Sequence, residues 1–467
     1  MSSRPYCHIF RKAKKVAKPR DWKVVLAGEC MISRPFSKYE EPEFLAVLDL
    51  LRSSDVTYAH LEMNFGGTDD LDCASRGDWT ASYMIAEPDL ARELRSAGID
   101  LISLAHNHSF DFGAPGVLST IRHCREAGFA CAGTGLDLEA ARDPAYCETR
   151  KGRVALVSAS SGNKAYEWAG HPKAGLQGRP GVNPLRVSMK YEVDAESAAQ
   201  LQRLASGLGI GRARAGADGR EEIALNFPGD QSTRTSAVFV AGDRLKVHSE
   251  CHKRDLEGNL RSVDEAASMA DLVMVAHHFN VSEGPRGDEP PAFAREFAHA
   301  AIDAGADIYI GHGWHKTLGI EIYRGKPIFY GVGNFFAQSE FVRRVPYDSY
   351  EAWDHDVDRL NTLTPAAYPL HPGMELAAWW SSAVFALTYD GDALREIRLH
   401  PVEMGRSAPL ELAITRRTGR GAHALTEGRP FLADPANADA VLSRLKGLSE
   451  PLGTRIDIEN GIGVVRL

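Results

Sequence analysis

No stretch of this sequence approaches the roughly 18 consecutive apolar residues that a membrane-spanning helix needs. No signal peptide is expected either. The first 20 residues carry Arg11, Lys12, Lys14, Lys15, Lys18 and Arg20, but no apolar stretch follows them. We expect residues 1–22 to be a solvated basic arm. Cysteine is sparse: Cys7, Cys30, Cys73, Cys124, Cys131, Cys147 and Cys251 are scattered, odd in number and free of any CxxC. That pattern argues against a disulfide framework and fits reduced thiols in a cytoplasmic protein. Positive charge is also short, with 54 Lys and Arg against 62 Asp and Glu and a net charge of -8. General nucleic-acid binding wants a basic face and is not expected. The Gly-rich run 207–219 lacks the GK[ST] ending of a phosphate-binding loop. Ser158, Ser160 and Ser161 are not set in a G-x-S-x-G turn, so a serine hydrolase is not expected either.

What is present is an ordinary globular composition over 467 residues, 44% hydrophobic and 25% charged. Short apolar runs alternate with amphipathic stretches. Strands are expected at 23–27, 56–61, 100–105, 129–132 and 154–159, and helices at 43–52, 88–97 and 115–127. The rhythm breaks over 162–261, read as an insertion and a candidate lid, and resumes with strands at 271–276, 307–310 and 327–330. A long loop is expected at about 340–374 and a hairpin at 382–402. The fold class expected is α/β, with helices flanking a central sheet. The domain reading is a basic arm at 1–22, a main domain at 23–405, and a weakly patterned extension at 406–467 that packs on the core.

The polar residues that matter fall at strand ends. The run Leu104-Ala105-His106-Asn107-His108-Ser109-Phe110-Asp111-Phe112-Gly113 follows an apolar strand and is dense in donors. Glu29, Glu62, the His277-His278 pair, and His312 with His315 each follow another apolar run. The carboxyl ends of strands form the common ligand-binding edge of α/β sheets. Carboxylates, an amide oxygen and imidazoles without thiolates suit manganese, iron or zinc. This many ligands is too many for one ion, so two are expected. Strand alternation sends only one of His277 and His278 inward, and His277 is the expected one.

These motifs resemble those of the CapA/PgsA-type poly-γ-glutamate biosynthesis proteins. The 104–116 run is similar to their ANNHxxDxGxxG signature, Gly311-His312-Gly313-Trp314-His315 to GHxPH, and the run 328–335 to IxYSLGNF. His60-Leu61-Glu62 is similar to NLE, and Ala27-Gly28-Glu29 to GD. The resemblance spans about residues 23–336. It implies the calcineurin-like metallophosphatase superfamily and a four-layer α/β/β/α sandwich with a dinuclear site at one edge. It implies Glu29, Glu62, Asn107, His277, His312 and His315 as metal ligands, with Glu62 bridging. It also implies His108 as general acid or transition-state contact, with Asp111 positioning it, and Asn334 as support for the site. Trp314, Asn334 and Arg179 are the residues expected to face substrate, and His106 is expected to be structural. This chain departs from the family by Glu29 in place of Asp, His106 in place of Asn, His277-His278-Phe279-Asn280 in place of HWG, and Trp314 in place of Pro.

The function expected is that of a soluble metal-dependent hydrolase using two divalent ions, manganese first, with iron or zinc as the other fits. A hydroxide bridging the metals would attack a small-molecule amide, lactone or ester, or a phosphoester. The alternative is a non-catalytic assembly factor in biosynthesis of a poly-γ-glutamate-like polymer. The partners expected are a small molecule and, as an open option, a second copy of the chain.

Overall fold

The computed structural model describes residues 21–67, 74–76, 83–216, 219–227, 235–281, 287–338, 346, 377–405 and 428–467. The expected basic arm and the expected 340–374 loop lie almost wholly outside the described residues. The fold is mixed α/β, with two large sheets and an inserted smaller one. Among the described residues no helix is long and apolar enough to cross a membrane.

The first large sheet is built around the strand Lys23–Met31. On one side Val56–Leu61, Leu101–Ser103 and Ala130–Ala132 follow it in parallel. On the other lies the antiparallel hairpin Ser381–Asp390 and Ala393–Glu403. The second sheet runs Ile320–Tyr323, Lys326–Phe329, Ile308–His312, Leu272–His278, Gly152–Ser160 and Ala145–Thr149.

Side-chain parity explains how the sheets stack. Val24, Leu26, Val56, Tyr58 and Leu101 of the first sheet meet Val154, Leu156, Met274, Ala276, Ile308 and Ile310 of the second in one buried cluster. The alternate residues face outward. Val25, Ala59, Leu61 and Ile102 pack under helices Pro42–Arg52, Asp89–Ser96 and Gly113–Glu126. Val157, Val273, Val275 and Tyr309 pack under helices Lys253–Met269 and Ala292–Ala304. Strands buried on both faces read as continuous apolar runs, as these do.

One irregularity decides the position of a key residue. Register shifts between Leu26 and Glu29, a bulge that holds Gly28. Before it the even residues face the second sheet; after it Glu29 faces there instead. Gly28 is needed because a Cβ on it would stand 2.1 Å from the Gly333 carbonyl oxygen. That carbonyl also accepts the N–H of Glu29 at 2.9 Å.

Two regions are more ordered than a break in the sequence rhythm suggests. The expected insertion over 162–261 is a folded unit. It holds a five-stranded sheet, Gly211–Ala215, Glu221–Phe227, Thr235–Ala241, Val187–Val193 and Lys246–Cys251. Helix Ala195–Leu208 covers that sheet through Ala198 and Ala205 against Ile223 and Leu225, a small core of its own. Its root is fixed where Arg186 grips Asp255 with two bonds of 2.5 and 2.7 Å. The chain end is likewise more regular than its pattern suggests. Helix Pro435–Ser449, capped by Asp434, sends Val441, Leu442 and Leu445 into the inter-sheet cluster, and Ile462–Arg466 extends the first sheet.

Gly28→Ala is expected to cost about 1–3 kcal/mol of stability through overpacking against Gly333. Denaturant unfolding with an unchanged midpoint would show that the bulge tolerates a side chain.

Candidate metal centre

Parity carries the site. Continuing the inner faces of the strands places Tyr58, His60 and Glu62 from one, His278 from the next sheet's centre and His312 beside it, all facing the gap between the sheets. The bulge adds Glu29, which pairs in register with His60. Glu29, Glu62 and His315 have ligand atoms within 4.8 Å of one another. Oε1 of Glu29 accepts the Gly313 N–H at 2.7 Å, and Oε2 lies 2.9 Å from His315 Nδ1. That nitrogen is also 3.7 Å from Glu62 Oε2 and 3.0 Å from Asn334 Oδ1. His315 adopts a left-handed backbone, φ 55°, which is strained for a residue with a side chain. Trp379 lies against its ring at 4.2 Å.

Several buried lone-pair atoms have no hydrogen-bond partner. Both oxygens of Glu62, Nε2 of His278 and Nδ1 of His312 stand by the two carboxylates, and Nδ1 of His106 and Oδ1 of Asn107 lie on the neighbouring 106–107 run. Leaving one such group unsatisfied costs about 1–3 kcal/mol, so the first four call for a common partner. His278 Nε2 is 3.9 Å from Glu62 Oε1, and His312 Nδ1 is 4.0 Å from Glu29 Oε1. Each of these rings is held by its other nitrogen. His312 Nε2 meets the Tyr58 hydroxyl at 2.7 Å, and His278 Nδ1 meets His60 Nε2 at 3.0 Å. Ser103 Oγ joins Tyr58 OH and His60 Nδ1 at 2.6 Å each. One nitrogen fixed from behind and the other bare in front is how proteins orient imidazole ligands. The donor set of oxygens and imidazoles therefore fits divalent cations.

Electrostatics agrees. Burial keeps His312 neutral by lowering its pKa to about 3. Burial and neighbouring rings depress His278, His60 and His106 in the same way. Burial, with Glu29 adding like charge, raises Glu62 well above the usual carboxylate range despite His315. Burial would raise Glu29 too, but the His315 cation pulls it well below its ordinary value. Burial opposes charge on His315, yet Glu62, Glu29 and the bond to Asn334 outweigh it and raise its pKa to about 9. Both the His315 ring and the Glu62 carboxyl are thus pushed towards holding protons where cations are wanted.

His277, the expected ligand, is turned away. It shares the parity of Val273 and Val275 and faces helix Ala292–Ala304, where it packs on Phe293 and Phe297. Both nitrogens are engaged, Nδ1 with Tyr309 OH at 2.6 Å and Nε2 with Ser161 Oγ at 2.8 Å. His278 occupies the inward position instead. His106 presents its edge to His60 at 5.5 Å and belongs to the histidine group.

His108 Nδ1 lies 2.8 Å from Asp111 Oδ2, which also accepts the Met84 N–H at 2.7 Å. Asn334 holds His315 and donates to the Trp379 carbonyl at 3.0 Å, so it supports the site. Trp314 is half-buried with Lys316 Nζ 5.5 Å above its ring. Arg179 is exposed, and its bonds to the Trp168 and Ala165 carbonyls, 2.8 and 3.3 Å, stay within its own loop. Sequence reasoning missed His60, Tyr58 and Ser103 as supporting residues. The available signal was spacing, since His60 and Tyr58 precede Glu62 by two and four residues on one strand face.

Residues 23–339 match the family model described as bacterial capsule synthesis protein PGA_cap, and the chain belongs to that family. Two uncharacterized proteins of Sinorhizobium fredii, y4sH and y4uA, are each 31% identical over 95% of this chain and 93% of their own length. A probable polyglutamine synthesis accessory protein of Mycobacterium tuberculosis is 30% identical over 62% of this chain and 58% of its own. The capsule biosynthesis protein CapA of Bacillus anthracis is 25% identical over 56% of this chain and 46% of its own. A solved structure of a hypothetical protein from Thermus thermophilus aligns with 81% of this chain and 98% of that one, at TM-score 0.37 and 12% identity, too loose a likeness to define the fold.

Two measurements probe this geometry. His278→Ala is expected to lose bound metal, whereas His277→Ala keeps it and loses about 1–3 kcal/mol by unpairing Tyr309; metal analysis showing the reverse would restore His277 as the ligand. Below about pH 9 a metal must displace the His315 proton, so affinity should rise as pH climbs from 6.5 towards 9. Calorimetry of Mn²⁺ binding at about pH 7.5 in buffers of different ionisation heat should register proton release that His315→Gln reduces; buffer-independent heats would contradict it.

Proposed function

We propose that this chain is a soluble, cytoplasmic metal-dependent hydrolase on the four-layer α/β/β/α metallophosphatase sandwich. Its substrate is a small-molecule amide, lactone, ester or phosphoester. The observation that carries the reading is the set of buried lone-pair atoms without hydrogen-bond partners on Glu62, His278 and His312, gathered about Glu29 and Glu62. Glu29, Glu62, Asn107, His278, His312 and His315 would hold two divalent ions, manganese first. Glu62 faces His278 with one oxygen and His315 with the other, which suits a shared ligand. When bound, such ions supply Lewis-acid polarisation and a water of lowered pKa.

The chain's own residues do the rest. With its Nδ1–H donating to Asp111, His108 turns Nε2 to the substrate; a proton taken up there makes the imidazolium, which can pass that proton to a leaving group or donate a hydrogen bond to developing charge. Tyr58, Ser103 and His60 hold the rings of His312 and His278 in place. A cleft of about 620 Å³ lined by Ser160, Ser161, Asn163, Trp168, Arg186 and Lys253 gives room for the body of a small molecule. None of its lining residues is among the six proposed ligands; its nearest tie to them along the sheet is Ser160, which pairs in register with His278.

The names of the Mycobacterium and Bacillus relatives favour a second reading, a non-catalytic assembly role for a poly-γ-glutamate-like polymer. Manganese-loaded protein is expected to turn over at least one of p-nitrophenyl phosphate, p-nitrophenyl acetate and γ-glutamyl p-nitroanilide. His108→Asn should keep its metal and lose about 10²–10⁴-fold in rate. Metal-loaded protein inert on all three would favour the assembly role.

A further inference from the structure

Arg76 lies on the short described segment 74–76, yet its side chain is only 8% exposed. Its Nη2 is 3.2 Å from Asp111 Oδ1, while Nη1 contacts Glu167 Oε1. Its N–H donates to the Asp111 carbonyl at 2.8 Å, and its own carbonyl accepts from Tyr83 OH at 3.0 Å. Both carboxylates are buried, Asp111 completely. The guanidinium is therefore fixed at main chain and side chain between two anions, a geometry that its planar fork suits and an ammonium does not.

The other end of each carboxylate leads somewhere. Asp111 Oδ2 takes His108 Nδ1. Glu167 Oε2 accepts from Asn163 Nδ2 at 3.0 Å and from the Lys164 N–H at 2.9 Å. Asn163 Nδ2 also donates to the His106 carbonyl at 3.0 Å, and the Trp168 indole N–H donates to the Asn163 carbonyl at 3.1 Å. Asn163 and Trp168 border the 620 Å³ cleft. A fully buried carboxylate without a counter-ion is costly and free to reorient or neutralise itself. One that is charge-compensated and gripped from the far side is a fixed acceptor.

We propose that Arg76 is a positioning residue for the His108–Asp111 pair, clamped by Glu167, and that it ties this pair to the loop bordering the cleft. The rate consequence rests on the reading of His108 as the proton carrier; the orientation consequence does not. Long-range ¹H–¹⁵N spectra of the metal-free protein are expected to show that the neutral form of His108 carries its proton on Nδ1. Arg76→Met should mix the two tautomers. On p-nitrophenyl phosphate it should lower kcat about 10–100-fold with KM and metal content unchanged. Arg76→Lys, which meets only one carboxylate, should fold and fall between, and it decides the matter if Arg76→Met does not fold. In a His108→Asn background Arg76→Met should cost no further rate. A folded variant with wild-type tautomer and kcat, or an equal loss in the His108→Asn background, would overturn the proposal. Absence of turnover in the wild type would count against the hydrolase reading alone, since the tautomer measurement still reports on Arg76.

Discussion

Two carboxylates, Glu29 and Glu62, are enclosed between the sheets with a single imidazolium for company. Negative charge in such a place is expensive unless cations or hydrogen bonds meet it. The surrounding structure is an answer to that expense. A bulge turns Glu29 inward, the Gly313 N–H reaches one of its oxygens, and His315 accepts a strained backbone to stand beside the other. The neutral rings of His278 and His312 point bare nitrogens at the same space. A protein with no use for this charge would have filled the gap with leucines.

Much of this was legible because strand ends announce themselves. An apolar run that stops at Glu62 or at Asn107 marks the sheet edge without knowledge of the sheet. What parity would reveal was hidden on Leu272–His278, whose apolar residues cover both faces. With no polar face to label inside and outside, nothing local distinguishes His277 from His278. Only the partner layers do, helix Ala292–Ala304 on one side and the first sheet on the other. The bulge at Gly28 was equally silent, since its reason is a carbonyl some 300 residues away, at Gly333. The insertion was legible as a break in the rhythm, but the pairing of its strands was not, because strands such as Val187–Val193 and Gly211–Ala215 are half-exposed and alternate weakly.

The inserted sheet and the site are joined by charged contacts. From His108 the path runs through Asp111, Arg76 and Glu167 to the loop carrying Trp168. Arg186 lies over the Trp168 ring at 5.1 Å and grips Asp255 at the root of the insertion. The insertion thus shares its foundations with the candidate proton carrier.

The chain of bonds behind the two inward histidines has an arithmetic of its own. Four links connect His312, Tyr58, Ser103, His60 and His278. If His278 and His312 both offer lone pairs forwards, each turns its N–H backwards. Tyr58, Ser103 and neutral His60 add one proton apiece, which leaves five protons for four links. Burial keeps Tyr58 from giving up its own. One proton must therefore point out of the chain. The two halves of the site are connected by a row of switches that cannot all be set at once.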